Sequence, residues 1–151
     1  MDYQLSTNFW LSEFLKSRKA VQLGISLNDP PTQIVINLTA LANVSLQPAR
    51  TIDNTPYHIV SGWRPPRVNA GVGGVPGNQH ERGEAADLWA EDRTPFQIAR
   101  VFVDNQIPFD QLIIYPAKNT CHVSFTRLGV NRGEVLTKYP STGYLRGIVE
   151  R

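Results

Sequence analysis

Residues 58–89 read HIVSGWRPPRVNAGVGGVPGNQHERGEAADLW, and the order of textures within them decides the fold. The opening part, within PYHIVSGWR (56–64), alternates and is rich in β-branched residues, which predicts a strand ending near Arg64. The next twenty residues, PPRVNAGVGGVPGNQHERGE (65–84), are dense in Pro, Gly and Asn and predict a long irregular loop. Structureless loops beyond about 12–15 residues are uncommon in compact domains unless they carry function or are disordered. This one runs straight into the apolar segment AADLWA (85–90), which predicts a second strand and so an ordered, functional loop.

Downstream, Thr94-Pro95-Phe96-Gln97 predicts a helix start with proline at the first position and a glutamine that completes a capping box. Ile98, Val101 and Phe102 form its buried face, and it ends near Asn105. Two more strands follow, FDQLIIY (109–115) and TCHVSF (120–125), joined through PAKN. The tail 128–147 predicts turns and a short final segment. Upstream, Leu11, Phe14, Leu15, Val21 and Leu23 have roughly helical spacing, with Ser12 as an N-cap, and predict one or two short helices. Ile34, Leu38, Leu41 and Ala42 mark one face of a longer helix expected to stop before Pro48. Helices first, then four strands with one helix among them, predict an α+β fold over 1–151 as one domain: a small, largely antiparallel sheet with helices packed on one side.

Composition narrows the function. The net charge is +2 and the basic residues are scattered, whereas a nucleic-acid binder presents a basic patch, so no nucleic-acid partner is expected. Arginine outnumbers lysine 11 to 4, which supplies forked donors for an anionic ligand. Cys121 is the single cysteine, so no intrachain disulfide forms. No stretch approaches the roughly 20 apolar residues of a membrane span, and the N-terminus lacks the apolar core of a secretory signal. A monomer made in the cytoplasm is expected.

Three residues carry the chemistry. His80, Asp87 and His122 supply two imidazoles and a carboxylate, a set that suits Zn²⁺ and leaves a fourth position for water. On strands, Asp87 and Trp89 share a face opposite Leu88, and His122 and Ser124 share a face opposite Cys121 and Val123, so Asp87 and His122 meet if their strands are neighbours. The same alternation separates Cys121 from His122 and excludes a cysteine nucleophile with that histidine as base. A hydrogen-bonded core histidine is the competing reading of His122; His58 reads as structural and Glu81 as solvated charge. GVGGVPG is no phosphate cradle, since no Gly-Lys-Ser/Thr follows it.

Ser61-Gly62-Trp63-Arg64, then His80, Gly83, Ala85 and Asp87, then FDQLIIY and HVSF with His122, resemble the zinc D-Ala-D-Ala carboxypeptidase family, which includes phage L-alanyl-D-glutamate endolysins and shares its fold with the hedgehog signalling domain. The resemblance implies Zn²⁺ held by His80, Asp87 and His122, with Gly83 and the alanines shaping the turn between the first two. It implies that Arg64 binds a substrate carboxylate or the developing oxyanion, with Gln79 and Ser61 as further substrate contacts. The implied substrate is the stem peptide of peptidoglycan, and the implied setting is a phage or prophage product acting on the wall after release or as a virion component. The family's general base stands three residues before the last histidine, where this sequence has Asn119, and an amide cannot take that proton. Glu84, Asp110 and Tyr115 are the candidates to replace it. A second function, a zinc-containing module that binds wall peptides or a partner without cutting, follows from that missing acid.

Overall fold

The structure is a computed structural model that describes residues 2–151. Six strands form the main sheet: β3 (His58–Ser61), β4 (Ala85–Trp89), β5 (Gln111–Tyr115), β6 (Thr120–Ser124), β7 (Glu134–Lys138) and β8 (Tyr144–Arg146), in the order β3-β4-β6-β5-β7-β8. All neighbours are antiparallel except β5 and β7, which run parallel. A two-stranded ribbon, β1 (Gln4–Ser6) with β2 (Phe9–Trp10), precedes the helices. The fold is therefore α+β, as expected, but with two more strands in the sheet than the four read from sequence. The tail 128–147 reads as turns because its strands are short and interrupted by Asn, Gly, Pro and Ser; β7 is held chiefly by tertiary pairing with β5.

Helix α2 (Thr32–Leu41) does not stop before Pro48 as its sequence predicts; it widens into a π turn over Ala42–Leu46 and continues as α3 (Gln47–Asp53). The Gln47 N–H reaches back to the Ala42 carbonyl, and the changed register places Pro48 in the first turn of the new segment, where its missing N–H costs no intrahelical bond. Ser12 does not cap a helix; its hydroxyl donates to Asp2 Oδ2 at 2.6 Å, and Ser17 caps α1 (Arg18–Gln22) by accepting from the Ala20 N–H. Within the expected loop, Pro66 starts a short helix, α4 (Pro66–Gly71), with proline at its first position. Helix α5 (Pro95–Asp104) has the predicted capping box: the Thr94 hydroxyl accepts from Gln97 N at 3.2 Å and Gln97 Oε1 accepts from Thr94 N at 2.8 Å.

The core lies between the helices and one face of the sheet. Ala86, Leu88, Leu112, Ile114, Cys121 and Val123 point inward against Leu38, Leu46, Ile98 and Phe102, all buried. Side chains one step along each strand emerge on the opposite face, which is left free for a site. Among the described residues no helix is long and apolar enough to cross a membrane.

Candidate metal centre

The register sets the site. Asp87 on β4 pairs directly with His122 on β6, and His122 pairs with Ile113 on β5, so all three occupy the outward face. His80 comes from the loop, anchored where the Arg64 N–H donates to the His80 carbonyl at 3.0 Å. The two imidazoles flank the one carboxylate: His80 Nε2 is 3.5 Å from Asp87 Oδ2, and His122 Nδ1 is 3.3 Å from Asp87 Oδ1. One donor atom from each of the three lies within 4.8 Å of the others, close enough to hold a single ion. Burial pushes the Asp87 carboxyl up, but the neighbouring imidazoles of His80 and His122 outweigh it and hold the group below the usual carboxylate range. The ring nitrogens are distinguishable, because His80 Nδ1 is 2.8 Å from the Gly62 carbonyl, which can only accept, so Nδ1 carries a proton and Nε2 is the nitrogen that offers a lone pair when the ring is neutral. A charged, proton-free carboxylate between two aimed imidazole nitrogens is a donor set that fits zinc.

Around these residues opens a cleft of about 610 Å³, lined by Arg64, Gln79, Asp110, Tyr115, Lys118 and Tyr144 among others. A larger groove of about 800 Å³ between the N-terminal ribbon and α2 holds, among the described residues, no comparable cluster. Arg64 reaches the cleft with few partners of its own: its Nε is buried without a hydrogen bond, and Nη1 reaches only the Ser61 hydroxyl, at 3.5 Å. Burial lowers its pKa, with the charge of Asp87 acting the other way. Ser61 thus touches Arg64 and is not itself a wall of the cleft.

The expected bases separate. Glu84 is buried, receives a hydrogen bond from Arg82 Nε, and is not among the residues that line the cleft. Asp110 does line the cleft, but Arg132 donates to it from the backbone N at 2.9 Å, from Nε at 3.1 Å and from Nη2 at 2.8 Å. Those bonds hold its carboxyl below the ordinary value. Tyr115 shares the cleft face; a phenol is already a donor at neutral pH, and burial pushes this one further up. Asn119 ends a short turn with φ +54, a left-handed backbone that asparagine tolerates, and lies outside the cleft.

Gln79, expected as a substrate contact, lines the cleft, and both ends of its amide are engaged within the protein: Nε2 donates to Asp110 Oδ2 at 2.7 Å and Oε1 lies 3.3 Å from His122 Nε2. Glu81 is not a solvated charge; its Oε2 accepts from Asn69 Nδ2 at 2.8 Å and from the Gly77 N–H at 3.0 Å, tying the glycine loop to α4. Gly74 permits this packing, since a Cβ there would fall 2.0 Å from Asn69 Oδ1. His58 stands apart, stacked on Trp89 with ring centroids 4.6 Å apart. Cys121 is buried on the core side, where its thiol donates to the Pro95 carbonyl at 3.1 Å and burial pushes its pKa up, so it is inert. Sequence reasoning misses Lys118, Arg132 and Tyr144; the alternation of Glu134–Lys138 is the available signal for the strand that brings the last two near the site.

A family model described as Peptidase M15 matches residues 7–124, which takes in the second ribbon strand, the helices, the loop and all three members of the cluster. The chain belongs to the peptidase M15 family. A search of curated proteins finds no match. As an M15 member the chain is a peptidase of a zinc-dependent metallopeptidase family, and the His80, Asp87 and His122 cluster is where its residues could hold the ion. The match ends at residue 124, so β7, β8 and Arg132 lie beyond it.

Proposed function

We propose that this M15 peptidase hydrolyses a peptide bond involving a D-amino acid in the stem peptides of peptidoglycan, in lysis or remodelling of the bacterial wall as a phage or prophage product. The protein would be made in the bacterial cytoplasm and reach the wall after release or as part of a virion. The observation that carries the reading is the cluster of His80, Asp87 and His122 beside Arg64, whose guanidinium faces the cleft with a buried, unpartnered Nε. A desolvated guanidinium is stabilised by an anion, and stem peptides carry carboxylates that match its forked donors.

His80 Nε2, Asp87 and His122 Nδ1 would hold zinc, which when bound supplies Lewis acidity toward the scissile carbonyl and acidifies a water. Arg64 binds the substrate carboxylate or the negative charge that develops at that carbonyl, in a site where partial burial strengthens the attraction. The protonated Tyr115 phenol, which lines the cleft, would donate a hydrogen bond to bound substrate. Among the described residues Asp110 is the one carboxylate of the cleft outside the ligand set, and its ion pair with Arg132 makes it a weak base.

That weakness favours a second reading, in which the cleft retains wall peptides or a partner in the presence of zinc without cutting them. Release of amino groups from purified peptidoglycan, measured for the zinc-loaded protein and for His80→Ala, separates the two. Release by the first and none by the second is expected. Zinc-loaded protein that binds the wall but releases nothing would leave only the binding module.

A further inference from the structure

We propose that Gln79 is a positioning residue: its side-chain amide, held by Asp110, determines which ring nitrogen of His122 is turned to the metal centre. The inference rests on the zinc reading of the cleft given above. It starts from a carboxylate with fixed partners. Asp110 is 5% exposed, and its Oδ1 accepts from two donors of Arg132 while its Oδ2 accepts from Arg132 Nη2 and from Gln79 Nε2. An ionised carboxylate has no proton to give, so the group of Gln79 that faces it, at 2.7 Å, must be the amide nitrogen. Chemistry therefore settles the orientation of the amide, and its oxygen lies at the other end, 3.3 Å from His122 Nε2.

An amide oxygen only accepts. His122 Nε2 carries a proton whenever that contact is made, and Nδ1 is the nitrogen left to face Asp87 Oδ1. His80 reaches the same condition by a different route, since its Nδ1 is fixed by the Gly62 backbone carbonyl, a partner that no side-chain substitution removes. The second imidazole depends instead on a relay of side chains from three separate segments: the loop, the residue just before β5 and the stretch leading into β7. Arg132, the far end of that relay, lies outside the residues matched by the family model. Partners of this kind, one bond removed from a metal, orient the ligand and raise its basicity, and their loss typically weakens metal binding about 10–100-fold.

The test combines two measurements on the full chain: zinc affinity by competition with a chromophoric chelator, and ¹⁵N NMR of the histidine ring nitrogens with and without zinc. In the wild type we expect a solvent-protected proton on His122 Nε2 in both states, with zinc on Nδ1. Gln79→Met, which keeps the length and removes the acceptor, should weaken zinc binding about 10–100-fold. Asp110→Asn should weaken it as well, and the two together should bind no more weakly than Gln79→Met alone, because Asp110 acts through Gln79. Zinc on His122 Nε2, unchanged affinity in Gln79→Met, or losses that add would each overturn the proposal. Should Gln79→Met fail to fold, the wild-type spectrum decides without it. A wild type that binds no zinc would instead overturn the reading of the cleft as a zinc site, and the protected Nε2 proton of the metal-free protein would still decide how His122 is held.

Discussion

Asp110 shows how much a single side chain's meaning depends on its neighbours. In sequence it opens the segment FDQLIIY as a free acid and a candidate base; in the fold it is the hub of bonds from Arg132 and Gln79. Because Arg132 holds its folded pKa below the ordinary 3.8, the carboxylate's contribution to stability is present above the unfolded value and is lost as the pH falls through the folded one. Asp110→Asn should therefore lower the melting temperature more at about pH 7 than at about pH 3, as calorimetry at the two values would register. Equal effects at both would mean that the charge of Asp110 adds nothing. Ligand type is legible from residue identity: imidazole and carboxylate donors at 80, 87 and 122 point to zinc chemistry wherever the chain brings them together. The engagement of Gln79 and Glu81 is not, since an amide or acid in a polar loop has the same local signature whether it is solvated or bonded to a residue far along the chain.

Among the elements, those legible in the sequence carry their own end signals. Helix α5 has Thr94, Pro95 and Gln97 at its start and an apolar stripe behind them, so local chemistry and burial agree. Thr94→Ala removes the acceptor for the Gln97 N–H and should cost about 1 kcal/mol, within the usual range of about 0.5–2, measured by urea denaturation. A cost near zero would mean that tertiary packing alone holds the first turn. Elsewhere the fold overrides a local signal. Pro48 is a helix breaker in isolation, but the π turn at Ala42–Leu46 shifts the register so that the proline falls in a first turn. The paired prolines at 65 and 66 read as loop when they in fact begin α4. Gly83 belongs to the legible group: its φ is +69, and a Cβ added there would fall 2.9 Å from Ile34 Cγ2, which leaves room for glycine alone.

Across the whole molecule, the sheet is completed from outside the family match. Strand β7 covers the edge of β5 in parallel, the Asp110 carbonyl accepts from the Glu134 N–H at 3.0 Å, and β8 closes the far side. A chain ended after Thr126 should expose the β5 edge, lose Arg132 from Asp110, melt at lower temperature and self-associate, which light scattering and thermal melts would detect. A truncated chain that stays monomeric with an unchanged melt would show that β7 and β8 are dispensable to the fold. Alternating side chains, caps and the identities of the three donors are local properties, and the α+β class and the composition of the metal centre follow from them because strand period and ligand chemistry do not depend on distant contacts. The direct pairing of Asp87 with His122, the parallel placement of β7, the burial of the Arg64 Nε and the bonds that hold Gln79 come only with folding. Each of these depends on which residues far apart in the chain become neighbours, and that is set by the burial of the whole core.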